Sequence, residues 1–292
     1  NISSKEAIIH RYDYEIRGAT LVRPLVGALL DGHADGVVVA EPLDAHGIAI
    51  GIGVNPWFGE QDPERMALSV VDEAIRNVVA VGAEPDKIAL LDNFSWGDPR
   101  RETTLGHLVA AVNGCCTAAV AFSAPFVSGK DSLNNEYFGS DGERHSVPPT
   151  LVITAVAHVP DANATVTPDL KSTSNVLLVL GHTSCEFGGS HLAKVLNLSV
   201  SGAVPDFDTA APARYRKLHG AIRAGLIQSC HDVSEGGIGV AVAEMAIAGR
   251  LGVDMSCCEK ASDAQWLFSE SNGRFIVEVK KEDAPKVLSL FA

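Results

Sequence analysis

The chain has 292 residues, 46% of them apolar, and sets 23 Lys and Arg against 36 Asp and Glu, a formal net charge of −13. A surface this acidic repels phosphate backbones and anionic lipid, which argues against bulk electrostatic binding to nucleic acid or to a membrane. With 20% charged residues, 27 Gly and 14 Pro, the composition excludes a disordered chain and allows one large core or two ordinary ones.

In chain order, residues 1–17 are polar and charged and read as a short helix or linker. Strand-like runs follow at Thr20–Leu25, Gly36–Ala40 and Gly47–Gly53, the last with alternating Ile48, Ile50 and Ile52. Asp62-Pro63 supplies an N-cap and a first-turn proline for the clearest helix. Met66, Val70, Val71, Ala74, Ile75, Val78 and Val79 recur at helical spacing up to Gly82, and Asp72 pairs with Arg76 across one turn of its polar side. A buried strand, Lys87–Leu91, stops at Asp92, and a second helix covers Thr103–Val120. Pro125–Ser128 is a short strand running into Gly129, Asn134–Pro149 a polar loop, and Leu151–Val159 another buried strand. Alternating helix and strand make the fold α/β, not all-β or a bundle.

Pro160–Ser174, rich in Asp, Thr, Pro and Ser, marks a boundary. It divides the chain into a leading segment (1–17), a first domain (18–160), a linker (161–174) and a second domain (175–292). In the second domain Asn175–Leu180, Ile227–Cys230 and Phe275–Val279 read as strands. Ala213–Ala224, Gly236–Gly249 and Glu282–Phe291 read as helices. No strand follows the last helix, so this domain is expected to be incomplete. No apolar run approaches the ~20 residues that cross a bilayer. The cysteines form adjacent pairs, Cys115–Cys116 and Cys257–Cys258, with Cys185 and Cys230 apart. Without C-x-x-C spacing, they are expected to be reduced thiols of a cytoplasmic protein.

Three constellations at strand ends carry chemistry, because α/β proteins bind ligands there. Asp92, leaving a buried strand into Asn93–Pro99, suits Mg²⁺ or a ligand hydroxyl, and equally suits a loop cap. Ser128–Glu136 packs Gly129, the Lys130 ammonium, Asp131 and Ser132 into one turn, a set that suits a phosphate and its metal. It is not a P-loop, since Ala124 and Asp131 stand where that pattern needs Gly and Ser or Thr. Third, Gly236 and Gly237 open a helix whose free N–H groups would attract phosphate, with Asp232 before it as a metal ligand. A capping box on Ser234 is the plain alternative, weakened by Gly237 at the position that would complete it. These residues alone point to a phosphorylated ligand with Mg²⁺.

The same words, with Arg11–Glu15, Asn55–Gly59, Asp72–Asn77, Val81–Pro85 and Phe268–Phe275, resemble the large, synthetase subunit of phosphoribosylformylglycinamidine (FGAM) synthase. The likeness extends over nearly the whole chain; His231-Asp232-x-Ser234-x-Gly236-Gly237 alone would mark only the wider aminoimidazole ribonucleotide (AIR) synthetase superfamily. That family is internally duplicated, each copy an N-terminal plus a C-terminal domain, and this chain resembles the second copy. The resemblance implies ATP-dependent amidation of formylglycinamide ribonucleotide with ammonia from a glutaminase subunit or domain, in a site shared with the first half. The family's catalytic histidines belong to that first half, so none is expected here. Asp92 and Gly129 match ATP-binding positions and Ser132 a substrate-binding one. Lys130 stands where many short-form members ligate Mg²⁺ with Asn; an ammonium cannot, so Lys130 is assigned to the nucleotide phosphate, while of the turn's own carboxylates Asp131 or Glu136 suits the metal, Asp131 being the one assigned. Asp232 would ligate metal in the copy's own pseudo-site, where Gly236 and Gly237 would hold the phosphate of a structural ADP. The alternatives are a non-catalytic ADP-binding module, or another kinase or synthetase of the superfamily. An isolated copy is also expected to self-associate through the sheet face that meets its twin.

Overall fold

The computed structural model describes residues 4–11, 15, 18–40, 45–197, 202–256 and 262–292. Tyr12–Tyr14 and the pair Cys257–Cys258 therefore lie outside the described residues.

A one-turn helix α1 (Glu6–Ile9) precedes five strands, β1 (Thr20–Val22), β2 (Leu25–Val26), β3 (Gly32–His33), β4 (Gly36–Val39) and β5 (Gly47–Val54). The expected strand Thr20–Leu25 is broken at Pro24, which has no N–H to give a ladder, and β2 turns away to pair with β3. Next come α2 (Pro56–Gly59), α3 (Pro63–Ala80), β6 (Ile88–Ser95), α4 (Glu102–Phe122) and β7 (Phe126–Ser132). A hairpin, β8 (Glu136–Phe138) with β9 (Arg144–Ser146), forms inside the expected loop, and β10 (Thr150–Val159) completes the first half. The second half holds β11 (Val176–Leu180), α5 (His191–Val195), α6 (Ala211–Arg223), β12 (Ile227–Asp232) and α7 (Gly237–Gly249). It ends in α8 (Asp263–Phe268), β13 (Phe275–Val279) and α9 (Ala284–Phe291). Helix α8 is too short to show a period and was not expected.

The strands form a six-stranded sheet, β1-β4-β5-β10-β6-β7, and a three-stranded sheet, β11-β13-β12. Among the described residues all pairs in these sheets are antiparallel except β6 with β7, which are parallel. One helix joins the two sheets. Asp62 caps α3 by accepting from the Arg65 N–H at 3.0 Å, and 15 of the 18 residues of α3 are buried. A helix so enclosed has no polar side. It packs on β5 and β10, where Gly53 is needed because a Cβ there would lie 2.9 Å from Ala74 N, and it also meets α4, α6 and β12. The expected Asp72–Arg76 pair does form, but in the interior: the two side chains are 1% and 2% exposed.

Helix α4 runs 21 residues and is long and apolar enough, by composition, to cross a bilayer, contrary to the expectation from apolar runs. Here it lies along α3, burying Ala111, Gly114, Cys115, Ala118 and Phe122. The linker is tied down by Glu278 of β13, which accepts from Lys171 N, Ser172 N and Asn175 Nδ2.

The buried Asp72 carboxylate ties the halves together. It bonds to Arg76, to the Tyr215 hydroxyl from α6 and, at 3.0 Å, to the Gly273 N–H. Removing a donor from a buried carboxylate strands the acceptor, which costs about 1–3 kcal/mol. Tyr215→Phe is therefore expected to lower the stability read by urea denaturation by that amount; an unchanged midpoint would contradict this role for Asp72.

Candidate functional site

Two clusters gather the residues singled out by sequence. The first lies at the open edge of the large sheet. β6 does not stop at Asp92, and Gly129 is not in a loop: both strands continue, and they pair in register as Asp92↔Gly129, Asn93↔Lys130, Phe94↔Asp131 and Ser95↔Ser132. A parallel edge strand needs no turn at its partner's end, so the two segments expected as separate tips run side by side.

Alternation then sorts the side chains. Asp92 is opposite Ile153 of β10 and shares the helix-facing side with Leu90 and Phe94. Lys130 and Ser132 fall on the reverse face with Asn93 and Ser95, where the Lys130 ammonium donates to the Ser132 hydroxyl. Gly129 is a close-approach position, since a Cβ there would sit 2.6 Å from Cγ of Asp92. The Asp92 carboxyl is pushed up by partial burial and by Asp131, and drawn back by backbone N–H groups including that of Lys130. The end of the edge is braced. Asn135 Nδ2 donates to Ser95 Oγ at 2.8 Å and to Ser132 O at 3.0 Å, and Trp96 N–H donates to Ser132 O at 2.8 Å.

The second cluster lies between α3 and the small sheet. Arg76 Nε and Nη2 donate to Asp232 Oδ2 at 3.4 Å while Nη1 bonds to Asp72. His231 is held at both ring nitrogens, Nδ1 by Asp35 Oδ1 at 2.6 Å and Nε2 by Glu244 Oε2 at 3.1 Å. These carboxylates, Asp35 foremost, hold the imidazole protonated well above its ordinary range against the pull of burial. Glu73 accepts from Val54 N at 2.9 Å. Burial and the neighbouring carboxylates push Glu73 well up, raise Asp232 to about 6, and raise Glu235 to about 7. A cavity of about 460 Å³ opens onto this nest, lined by Asp35, His191, His231, Asp232, Glu235 and Glu244 among others.

The AIR synthase related protein, N-terminal domain, matches residues 31–159, and its C-terminal counterpart matches residues 173–292. The chain belongs to the AIR synthase-related family. Among curated relatives, the phosphoribosylformylglycinamidine synthase subunit PurL of Rhodopseudomonas palustris is 34% identical over 99% of this chain, and that of Methanocaldococcus jannaschii 33% over 99%. The chain spans 38% and 39% of their lengths. Among solved structures, T. maritima PurL complexed with FGAR superposes with TM-score 0.70 at 19% identity, over 93% of this chain and 43% of that one. The HypE–HypF complex gives TM-score 0.66 at 14% identity, over 98% and 87%. At these identities the structures establish the shared fold.

Within this AIR synthase-related fold the two clusters differ in what they fit. At the edge, Asp92 and Asp131 repel each other beside an open surface, and a divalent cation between them would relieve that repulsion. At the nest the N–H groups of both expected phosphate-binding glycines have partners within the chain. Gly236 N–H donates to Glu270 Oε1 at 2.9 Å and Gly237 N–H donates to Ser234 O at 3.1 Å. Gly236, not Ser234, is the N-cap, with φ +79° and no side-chain cap, so the capping box is absent too. Asp232, expected as a metal ligand, faces a guanidinium. Composition and spacing gave no sign of Asp35, Glu73, Tyr215, Glu235 or Glu270 as members of this nest, because their partners are scattered over the sequence.

A carboxyl whose pKa rises on folding binds more protons in the folded state, so it stabilises below its unfolded pKa and that gain is lost as pH climbs through the folded value. Glu235 thus makes stability fall between its ordinary 4.5 and about 7. Melting temperature is expected to drop across this window and to drop less in Glu235→Gln; parallel curves would contradict the assignment.

Proposed function

We propose that this chain is the second half of a PurL-type synthetase, supplying the nucleotide- and substrate-facing edge of an ATP-dependent amidation of formylglycinamide ribonucleotide. The observation that carries the reading is the in-register parallel pairing of β6 with the edge strand β7. It sets Asp92, Gly129, Lys130 and Ser132 side by side at the polar end of an otherwise apolar sheet. The curated PurL relatives support it through their name and identity. The nucleotide arm is supported by T. maritima PurL complexed with ATP, TM-score 0.62 at 18% identity.

Each residue then has a chemical task. Lys130 is a point charge for a phosphate oxygen, and Ser132, held beside it, offers a hydroxyl to the substrate. Asp92 accepts from nucleotide N–H or O–H groups, and with Asp131 it would hold Mg²⁺. That ion would neutralise charge on the transferring phosphate. Gly129 keeps the strand low enough for Asp92 to lie over it. The other wall belongs to a first half of like fold, set against the open face where Ile48 and Ile52 are 49% and 50% exposed. Ammonia comes from a glutaminase, and the general base resides in the first half.

The chain alone is therefore expected to form no amide from formylglycinamide ribonucleotide, ATP and ammonia, and to become active when assembled with a first-half partner. In that assembly, Asp92→Asn and Gly129→Ala should each raise the KM for ATP at least tenfold, about 1.4 kcal/mol, with the fold intact by circular dichroism. Amidation by the chain alone, or unchanged kinetics in both variants, would overturn the reading.

A further inference from the structure

The nest behind Gly236 has the donor set of a metal centre: Asp35, His231 and Asp232 offer ligand atoms within 4.8 Å of one another. It also has a cavity in front and a helix start beside it, the arrangement that would mark a second nucleotide site. The occupancy of each atom says otherwise. We propose that Arg76 and His231 are resident cations that fill the place of a divalent metal in this half, so that the nest locks the two sheets together and accepts neither a divalent cation nor a nucleotide phosphate.

Arg76 is the decisive residue. It rises from the interior of α3, 2% exposed, and spans from Asp72 on its own helix to Asp232 at the end of β12. A guanidinium is planar, permanently charged and bound here at Nε, Nη1 and Nη2, so it cannot swing aside without stranding two buried carboxylates. His231 fills the second place. With Asp35 on Nδ1 and Glu244 on Nε2, neither ring nitrogen presents a free lone pair. Two unit charges thus stand where one divalent ion would. Two carboxylate oxygens of the nest, Asp35 Oδ2 and Glu270 Oε2, are buried without a hydrogen-bond partner. Two such oxygens fall short of the octahedral set that Mg²⁺ demands. Lys5 adds a further cation to the cavity wall.

The phosphate side is closed by the same logic. A helix start binds an anion when its N–H groups point at open space. Here Glu270, 1% exposed at its side chain, takes the Gly236 N–H and the His191 N–H together, so the anion is built in. A nucleotide phosphate entering the cavity would meet the carboxyl groups of Asp35, Asp232, Glu235 and Glu244, which outnumber the Lys5 ammonium on its wall.

The test uses Mn²⁺ alone as the probe, because every donor of the nest lies in this chain. In the wild-type chain, micromolar Mn²⁺ should leave the ring-proton resonances of His231 sharp. In Arg76→Ala, which strips Asp232 on the cavity wall of its guanidinium, the same Mn²⁺ should broaden them, with at least tenfold tighter binding by electron paramagnetic resonance, and Asp35→Asn should reverse the gain. Broadening of His231 in the wild type overturns the proposal, as does a folded Arg76→Ala that gains nothing. Should Arg76→Ala unfold by circular dichroism, Arg76→Met takes its place, and the wild-type titration decides in either case. Repeating the titration in Asp131→Asn separates binding at the edge from binding at the nest.

Discussion

A buried guanidinium with two carboxylates is the constraint on which the molecule turns. Arg76 is 2% exposed between Asp72 and Asp232, both nearly as buried. Leaving any one of the three unpaired in the interior costs about 3–5 kcal/mol. The three positions come from α3 and from β12, so satisfying them fixes how the small sheet lies against the large one. Tyr215 and the Gly273 N–H complete the shell of Asp72 from the same side. The surrounding packing is continuous with that network. Phe122 of α4 stacks on Tyr215, which meets Phe275 edge to face, so one apolar core runs through both halves.

This lock leaves the opposite end of the large sheet free to do chemistry. β7 is an edge strand whose middle residues are exposed, and an exposed edge bearing Lys130, Asp131 and Ser132 resists pairing with a foreign strand. Its parallel register with β6 is imposed by α4, which returns the chain across the sheet before β7 begins. Asp92 and Lys130 consequently face opposite sides of the same edge. A ligand touching both must wrap that edge, which fits a cleft closed by a second module better than a pocket within one chain.

Much of this was legible in the sequence. Helix α3 announced itself through Asp62-Pro63 and its apolar period, and β5, β10 and β13 through runs of Val, Ile and Ala. The residues Asp92, Gly129, Lys130 and Ser132 were singled out as chemistry-bearing words, but their strand context was not read. Polar residues in an edge strand read as a loop because neither face is buried enough to impose alternation. Asp72–Arg76 was read as a surface pair because i, i+4 spacing says nothing of what lies across from it. His231 and Glu270 stood in quoted words, but their meeting with Asp35 and Glu244 in one nest left no local trace, since Asp35 and His231 are 196 positions apart. Nor could the phosphate reading of Gly236 and Gly237 take account of Glu270, the carboxylate that accepts from the Gly236 N–H, since it lies 34 residues on.

Backbone amide shifts of the ¹⁵N-labelled chain, titrated with ATP and Mg²⁺, test the edge assignment most directly, because each glycine reports on its own surroundings. The account predicts that Gly129, Lys130 and Ser132 move while Gly236 and Gly237 stay in place. Movement of Gly236 and Gly237 with a silent β7 would contradict it.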